Sequence, residues 1–127
     1  MDVINTNSLA LAYMGDAVYE VYIRKHLIDK GISKGDELQR QAVKYVSAKG
    51  QAAALRKIED ELTDDEKDIV RRAKNHKMPS RPRTQDLGDY KLATGLEALI
   101  GAKYLMNETG RLEEVMASAI AAIEEDN

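Results

Sequence analysis

The chain has no cysteine, tryptophan or phenylalanine, and only two prolines in 127 residues. Without cysteine it can form neither a disulfide bond nor a thiolate metal site, which is typical of proteins in reducing compartments. Without phenylalanine and tryptophan, the core must consist of aliphatic side chains, alanine, methionine and tyrosine. The two prolines, Pro79 and Pro82, lie close together, so the remaining chain can form helices that proline does not interrupt.

A long apolar run is also missing. No stretch is long enough to cross a bilayer as a helix, so we expect no membrane-spanning segment. The first residues lack the basic and apolar regions of a secretory signal peptide, and we therefore expect a cytoplasmic protein. With 43% hydrophobic and 32% charged residues, the composition is that of one globular domain covering residues 1–127.

Apolar residues recur at spacings of three and four along most of the chain, and the alternation typical of strands is missing. We therefore predict an all-α domain of about six or seven helices. Ser8 is the predicted N-cap of the opening helix, and Gly31 its C-terminal cap. We expect His26, in the last turn, to be exposed rather than to bind a metal. The residues Ser33–Asp36 form a predicted turn and cap for the second helix.

Later boundaries follow from similar local signals. Ser47 is the predicted cap of the third helix, and Thr63–Glu66 has the spacing of a capping box at the start of the fourth. Asn75–Gln85 is predicted to be irregular. The fifth helix is predicted over Tyr90–Met106, with Tyr104 in the core, and the sixth follows Gly110. The inward positions predicted for the sixth helix are Leu112, Val115, Met116, Ala119, Ile120 and Ile123.

The opening helix is apolar on nearly every side, so we predict that most of its circumference is buried. It carries one acid, Asp16, directly after Gly15. Glycine costs about 1 kcal/mol relative to alanine in a helix interior, which indicates that another backbone passes close to Gly15. A second acid, Glu97, lies in a similar helix of small and apolar residues.

Two such acids can share a proton, pair with an arginine or bind a divalent cation. A simpler alternative is that each acid touches solvent at a helix edge, or pairs with Arg24 or Lys91. The residues alone leave these alternatives open. If a metal is bound, oxygen ligands without cysteine or a suitable histidine pair favour Mg²⁺ or Mn²⁺ over zinc.

One segment is strongly cationic, although the net charge of the whole chain is −3. Six basic residues and no acid occur between residues 71 and 83, namely Arg71, Arg72, Lys74, Lys77, Arg81 and Arg83. Such a cluster is suited to neutralising the phosphates of a nucleic acid. The alternative is a solvated loop, which is the usual state of a run of charges.

Two blocks of the sequence resemble the catalytic helices of the ribonuclease III family. They are Met14–Val18, which contains Gly-Asp-Ala, and Leu96–Ala102, which contains Glu-Ala-Leu-Ile-Gly, and they occur in the family's order. The usual family pattern has further acids where this chain has Leu9, Ala12 and Thr94. A catalytic domain alone with this reduced acid set is similar to the Mini-ribonuclease III subgroup of the family.

The resemblance implies a metal-dependent endoribonuclease that hydrolyses double-stranded RNA and leaves 5′-phosphate and 3′-hydroxyl ends. Asp16 and Glu97 would be the catalytic residues and would hold Mg²⁺, or Mn²⁺. The subgroup matures the precursor of 23S ribosomal RNA, and the family works as a homodimer. A basic loop at about residues 71–85 would contact the RNA through Arg71, Arg72, Lys74, Asn75, Lys77, Arg81 and Arg83.

Two other functions remain open at this point. The first is a catalytically inactive RNA- or ribosome-binding module on the same fold. The second is a helical interaction protein without a nucleic-acid role, for which the cationic segment would be accidental.

Overall fold

The computed structural model describes residues 2–76 and 86–125, which form six α-helices, one short 3₁₀ turn at Glu59–Glu61 and no strand. The all-α prediction and its helix count are thereby confirmed. None of the described helices is long and apolar enough to cross a membrane. The helices are α1 (Ser8–Asp29), α2 (Gly35–Val46), α3 (Ala48–Ile58), α4 (Asp64–Lys74), α5 (Leu87–Leu105) and α6 (Thr109–Glu125).

Helix α5 is the centre of the fold. The helices α1, α3 and α4 pack around it, and α6 packs mainly against α3. Leu96, Leu99 and Ile100 of α5 are completely buried, because this helix has neighbours on several sides. Its apolar surface therefore extends around most of its circumference, as is expected of a helix in the middle of a domain.

Helices α1 and α5 cross with their backbones in contact. A Cβ added at Gly15 would lie only 1.7 Å from the carbonyl oxygen of Glu97, and one added at Gly101 would lie 1.9 Å from that of Leu11. Neither position therefore has room for any side chain. The prediction that another backbone passes close to Gly15 is confirmed, and that backbone belongs to α5.

Several predicted helix ends are confirmed by their hydrogen bonds. At the start of α4, Thr63 Oγ1 accepts from the backbone N–H of Glu66 at 3.2 Å, and Glu66 Oε1 accepts from that of Thr63 at 2.9 Å. Ser47 Oγ accepts from the N–H of Gly50 at 3.1 Å and caps α3. After α1, Gly31 adopts φ +92°, a left-handed conformation that glycine adopts without strain.

Other predicted helix starts were wrong by one to three residues. The N-cap of α1 is Asn7, whose Oδ1 accepts from the N–H of Leu9 at 2.8 Å, while Ser8 is a buried helical residue. Helix α2 begins at Gly35 without a side-chain cap. Helix α5 begins at Leu87, three residues before the predicted start, and is capped by Asp86. Asparagine and serine cap equally well, so the choice depends on how α1 packs.

Two side chains were assigned to the wrong environment. Tyr104 was predicted in the core but is 51% exposed. His26 was predicted to be exposed, but it is partly buried and its Nε2 lies 2.8 Å from Glu124 Oε2. The inward face of α6 is largely as predicted, although Ile120 is only partly buried. Of the segment predicted to be irregular, residues 77–85 lie outside the described residues.

Candidate active site

The α1–α5 crossing brings Asp16 and Glu97 together. Asp16 follows Gly15, and the Glu97 carbonyl is the atom that a Cβ at Gly15 would strike. The two carboxyl groups therefore extend from adjacent points of two helices in backbone contact. At this position, burial of Glu97 followed by hydrogen bonding to Asp16 and the Asp16 charge raises the pKa of the Glu97 carboxyl group.

Asp16 itself is exposed, whereas Glu97 is only partly buried. The prediction that most of α1 is buried was therefore wrong for the side on which Asp16 lies. Helix α1 buries one stripe against the core and leaves Tyr13 84% exposed and Val21 64% exposed on its outer side. Both sides of α1 carry apolar residues, so its sequence does not reveal which side faces solvent.

Glu97 has an unusual protonation equilibrium. Burial, together with hydrogen bonding to Asp16 and the Asp16 charge, raises the pKa of its carboxyl group to about 8, while the amide of Gln51 acts in the opposite direction. Glu97 therefore carries a proton at neutral pH when no cation lies nearby. This is the proton-sharing alternative, and it is the expected state of two close carboxyl groups without a positive charge between them.

Arginine is not the partner of these acids among the described residues. Arg24, the arginine considered for Asp16, forms an ion pair with Glu20 at 3.2 Å. Within residues 2–76 and 86–125, no ion pair reaches Asp16 or Glu97. Of the positive partners considered for Asp16 and Glu97, a divalent cation is therefore the one to be tested.

Gln51 is a site residue that sequence reasoning missed. Its side chain lies on α3, only 3% exposed, and Nε2 donates to Glu97 Oε2 in a long hydrogen bond of 3.5 Å. One signal could have revealed it, because Gln51 is the only polar member of the buried face of α3. The other members of that face are Ala52, Ala54, Leu55 and Ile58.

The chemistry of the donor set fits Mg²⁺ or Mn²⁺. Asp16 and Glu97 supply carboxylate oxygens, and the described residues contain no group of three or more histidine, cysteine, aspartate or glutamate side chains suited to holding a metal. An ion held by two carboxylates must keep several water ligands, as Mg²⁺ commonly does. Ala12 and Thr94, where the resemblance led us to look for further acids, are buried and carry no carboxylate, and the Thr94 hydroxyl donates to the Tyr90 carbonyl at 2.9 Å.

The first two residues of the cationic segment lie in the last turn of α4. Arg71 is exposed and pairs with Asp68. Arg72 has structural partners, since its Nη1 donates to the carbonyl of Ile4 at 2.7 Å and its Nε lies 3.2 Å from Asp68 Oδ2. Arg72 thus connects the segment before α1 to α4, a role that its charge alone did not predict.

The remaining cations begin with Lys74, the last residue of α4, and the others follow the helix in the sequence. Lys74 Nζ lies 4.0 Å from Glu59 Oε1, and Asn75 is exposed just after the helix. The Lys74 stem packs beside Gly95 of α5, two residues before Glu97. Because two residues rotate a helix by about 200°, Lys74 lies at a similar height to Glu97 but on another side of α5. Lys77, Arg81 and Arg83 lie outside the described residues.

Comparison with known proteins shows the family to which the chain belongs. Residues 9–108 match the Ribonuclease III domain family, and this match includes both Asp16 and Glu97. The chain belongs to the ribonuclease III family. It is therefore an endoribonuclease, and it falls among relatives named Mini-ribonuclease 3.

Two such relatives illustrate the similarity. Mini-ribonuclease 3 of Symbiobacterium thermophilum is 42% identical, over 91% of this chain and 89% of its own. Mini-ribonuclease 3 of Streptococcus pneumoniae is 40% identical, over 98% of both chains. The crystal structure of a protein of Fusobacterium nucleatum superposes on this chain with a TM-score of 0.82. The two sequences are 35% identical, and the match covers 92% of this chain and 93% of the other.

Proposed function

We propose that this endoribonuclease cleaves double-stranded RNA by metal-assisted hydrolysis at the Asp16–Glu97 pair. The observation that carries the proposal is that two acids from separate helices lie together at the point where the backbones of α1 and α5 touch, where Asp16 contributes to raising the pKa of Glu97. Two close carboxyl groups ionise together only when a positive charge lies between them. Their placement at a rigid, partly exposed crossing is best explained by a cation that binds there during function.

Asp16 and Glu97 would hold Mg²⁺ or Mn²⁺. When bound, such an ion supplies an activated water and stabilises the charge of the phosphoryl group under attack. Asp16 is exposed, so RNA in solution can reach its carboxylate. Glu97 lies deeper, and its side chain must lose a proton before both its oxygens are available as ligands. Cleavage would leave 5′-phosphate and 3′-hydroxyl ends.

RNA binding would use the cationic segment. A-form RNA is recognised mainly through its phosphates, its 2′-hydroxyls and its shape, and no base-specific pocket is needed for that. The residues proposed to contact the backbone are Arg71, Arg72, Lys74, Asn75, Lys77, Arg81 and Arg83. Because Arg72 already bonds to Ile4 and Asp68, we expect its contribution to RNA binding to be smaller than that of Lys74.

The outer side of α1 supports a homodimer. A groove of about 620 Å³ runs between α1 and the α5–α6 connection, and its lining includes Met14, Val21, Tyr22 and Tyr104. Within this lining, Val21 is 64% exposed and Tyr104 is 51% exposed. Exposed apolar residues that line one groove are typical of an interface between proteins. A second copy on this face would give two active sites, one for each strand of an RNA duplex.

We propose that the substrate is the precursor of 23S ribosomal RNA, processed in the cytoplasm. This part of the proposal is supported by the resemblance to the Mini-ribonuclease III subgroup and by the length of the match, since this chain aligns with 98% of the Streptococcus pneumoniae protein. The substrate would be recognised through the shape and phosphates of its double-stranded regions.

Incubation with duplex RNA and Mg²⁺ tests the proposal. We expect Asp16→Asn and Glu97→Gln to lower the cleavage rate by at least about 100-fold, since loss of a metal ligand removes several kcal/mol of transition-state stabilisation. RNA binding should persist in gel shifts. The matched control is Asp29→Asn, an exposed acid of the same helix that pairs with Lys25. Full activity of Asp16→Asn would refute the site, and binding without cleavage by the unmodified protein would favour an inactive module.

A further inference from the structure

Gln51 is a buried polar side chain that the proposed chemistry does not yet use. Five polar or charged residues are buried in the described part of the chain: Ser8, Gln51, Glu66, Thr94 and Lys103. Glu66 and Lys103 form an ion pair with each other, and Thr94 bonds to the backbone of its own helix. Gln51 is the one whose side chain reaches the Asp16–Glu97 pair.

The backbone that carries Gln51 is held firmly. Ser47 caps the helix through the N–H of Gly50 at 3.1 Å. A Cβ at Gly50 would lie 2.0 Å from the carbonyl oxygen of Lys44, so α2 and α3 are in backbone contact there. Gln51 follows directly, and its side chain therefore extends from a fixed point towards α5.

A buried glutamine at this position has an energetic cost. A buried polar group without adequate partners costs about 1–3 kcal/mol, whereas an aliphatic side chain would match Ala52 and Leu55 beside it. The hydrogen bond to Glu97 is long, at 3.5 Å. Hydrogen bonds at catalytic groups are often long in the free enzyme and shorten when the reacting complex forms. These features together favour a functional reason for the glutamine.

We propose that Gln51 is a positioning residue, whose carboxamide holds one oxygen of Glu97 so that the carboxyl group stays turned towards Asp16. This inference rests on the function proposed above. In the free protein the amide restricts rotation of the Glu97 side chain. In the working enzyme it keeps the two acids arranged as a pair of ligands, so Gln51 supports catalysis without touching the RNA.

Gln51→Met removes the carboxamide at almost unchanged volume. The chain offers a matched control in Gln41→Met, because Gln41 donates from Nε2 to Glu37 Oε1 at 3.1 Å on α2, away from the two acids. A second variant, Gln51→Asn, keeps the polar group but shortens the side chain by one methylene, so that it no longer reaches Glu97. If Gln51→Met does not fold, the same measurements are made on Gln51→Asn.

Two measurements separate positioning from a purely structural role. In steady-state cleavage of duplex RNA at saturating Mg²⁺, we expect both Gln51 variants to lower kcat about 10- to 100-fold, as loss of a partner behind a metal ligand does, with KM unchanged. In water-proton relaxation titrations with millimolar Mn²⁺ alone, we expect at least about tenfold weaker binding. Gln41→Met should match the unmodified protein in both measurements.

Unchanged kcat and Mn²⁺ binding in a folded Gln51 variant would overturn the inference. So would a loss of kcat that Gln41→Met reproduces, because the effect would then be a general one of losing a glutamine hydrogen bond. Asp16→Asn, measured in parallel, separates the two levels of the proposal. If Asp16→Asn is inactive while Gln51→Met is normal, only the role of Gln51 is wrong; if Asp16→Asn is fully active, the proposed site itself is wrong.

Discussion

Gly15 and Gly101 face each other where α1 crosses α5, with backbone atoms of each helix occupying the space that a side chain of the other would need. A Cβ at Gly15 would lie 2.9 Å from the Gly101 nitrogen, and a Cβ at Gly101 would lie 2.9 Å from the Gly15 nitrogen. This reciprocal contact sets the distance between Asp16 and Glu97. The spacing of the proposed active site therefore depends on two residues without side chains.

Gly15→Ala or Gly101→Ala should force the two helices apart. Overpacking typically costs about 1–3 kcal/mol, and we expect at least the upper end of that range because the clash is with backbone. The free energy of unfolding from urea titration measures the effect, and cleavage activity should fall as well. Gly110→Ala is the control, since nothing lies within 4 Å of a Cβ at Gly110, and it should be neutral or stabilising. Wild-type stability of Gly15→Ala would contradict the close crossing.

Mg²⁺ binding should be weak in the absence of RNA and should depend on pH. Since the pKa of Glu97 is raised to about 8, binding near pH 7 must displace its proton, and we expect release of about one proton per site. Affinity should then rise with pH up to about 8 and level off above it. Calorimetry in buffers of different ionisation enthalpy measures the proton release, which Glu97→Gln should abolish. Tight binding that survives Asp16→Asn would exclude this pair as the metal site.

Removal of charge from the cationic segment should weaken RNA binding and its salt dependence together. We expect the combined change of Lys74, Lys77, Arg81 and Arg83 to alanine to lower the slope of log affinity against log salt by about 1 for each phosphate that the protein no longer neutralises. Binding of duplex RNA at two or more salt concentrations measures the slope. The same affinity and slope as the unmodified protein would mean that the segment is incidental.

A charge in the groove beside α1 should prevent dimer formation. Val21, which is 64% exposed, lines that groove, while Val43 on α2 is similarly exposed at 58% but lies elsewhere. We expect Val21→Lys to sediment as a monomer at micromolar concentration and Val43→Lys to remain a dimer. If the unmodified protein is itself a monomer under these conditions, the two-strand arrangement is wrong.

Glu66 should make the fold sensitive to acid. Two hydrogen bonds from the Arg111 guanidinium, with further bonds from Thr63 and Lys103, hold the pKa of this buried carboxyl at about 2 instead of 4.5. Its stabilisation, about 3 kcal/mol for a shift of this size, is complete above pH 4.5 and disappears as the pH falls towards 2. Glu66→Gln should therefore be less stable than the unmodified protein at pH 7, and the gap should narrow in acid.

The control for this prediction is Glu113→Gln, the same change at an exposed acid of α6. Urea unfolding at pH 7 and at pH 3.5 measures both variants. A Glu66→Gln curve that runs parallel to that of the unmodified protein at all pH values would show that the ion cluster does not contribute in this way.

Local sequence signals predicted most of the helical structure. The capping box at Thr63 and Glu66 and the left-handed Gly31 involve neighbouring residues only, so the sequence was sufficient for them. The sequence does not determine the start of α1, because Asn7 and Ser8 are both good caps and only the packing of the helix selects between them. Asp16 and Glu97 could be singled out from sequence because an acid inside an apolar helix is unusual.

Other features depend on contacts between residues far apart in the chain. The exposure of Asp16 and Tyr104 follows from which side of each helix meets the core, and α1 and α5 have apolar residues on both sides. Gln51 is separated from Glu97 by 46 positions, so the lone polar residue on the apolar face of α3 could be noticed from sequence, but its contact with Glu97 could not. The amino-acid sequence thus determined the helices and the two acids, through interactions within a few residues. Only the packing of α1 on α5 determined that the acids meet, because the distance between Asp16 and Glu97 depends on the Gly15–Gly101 contact.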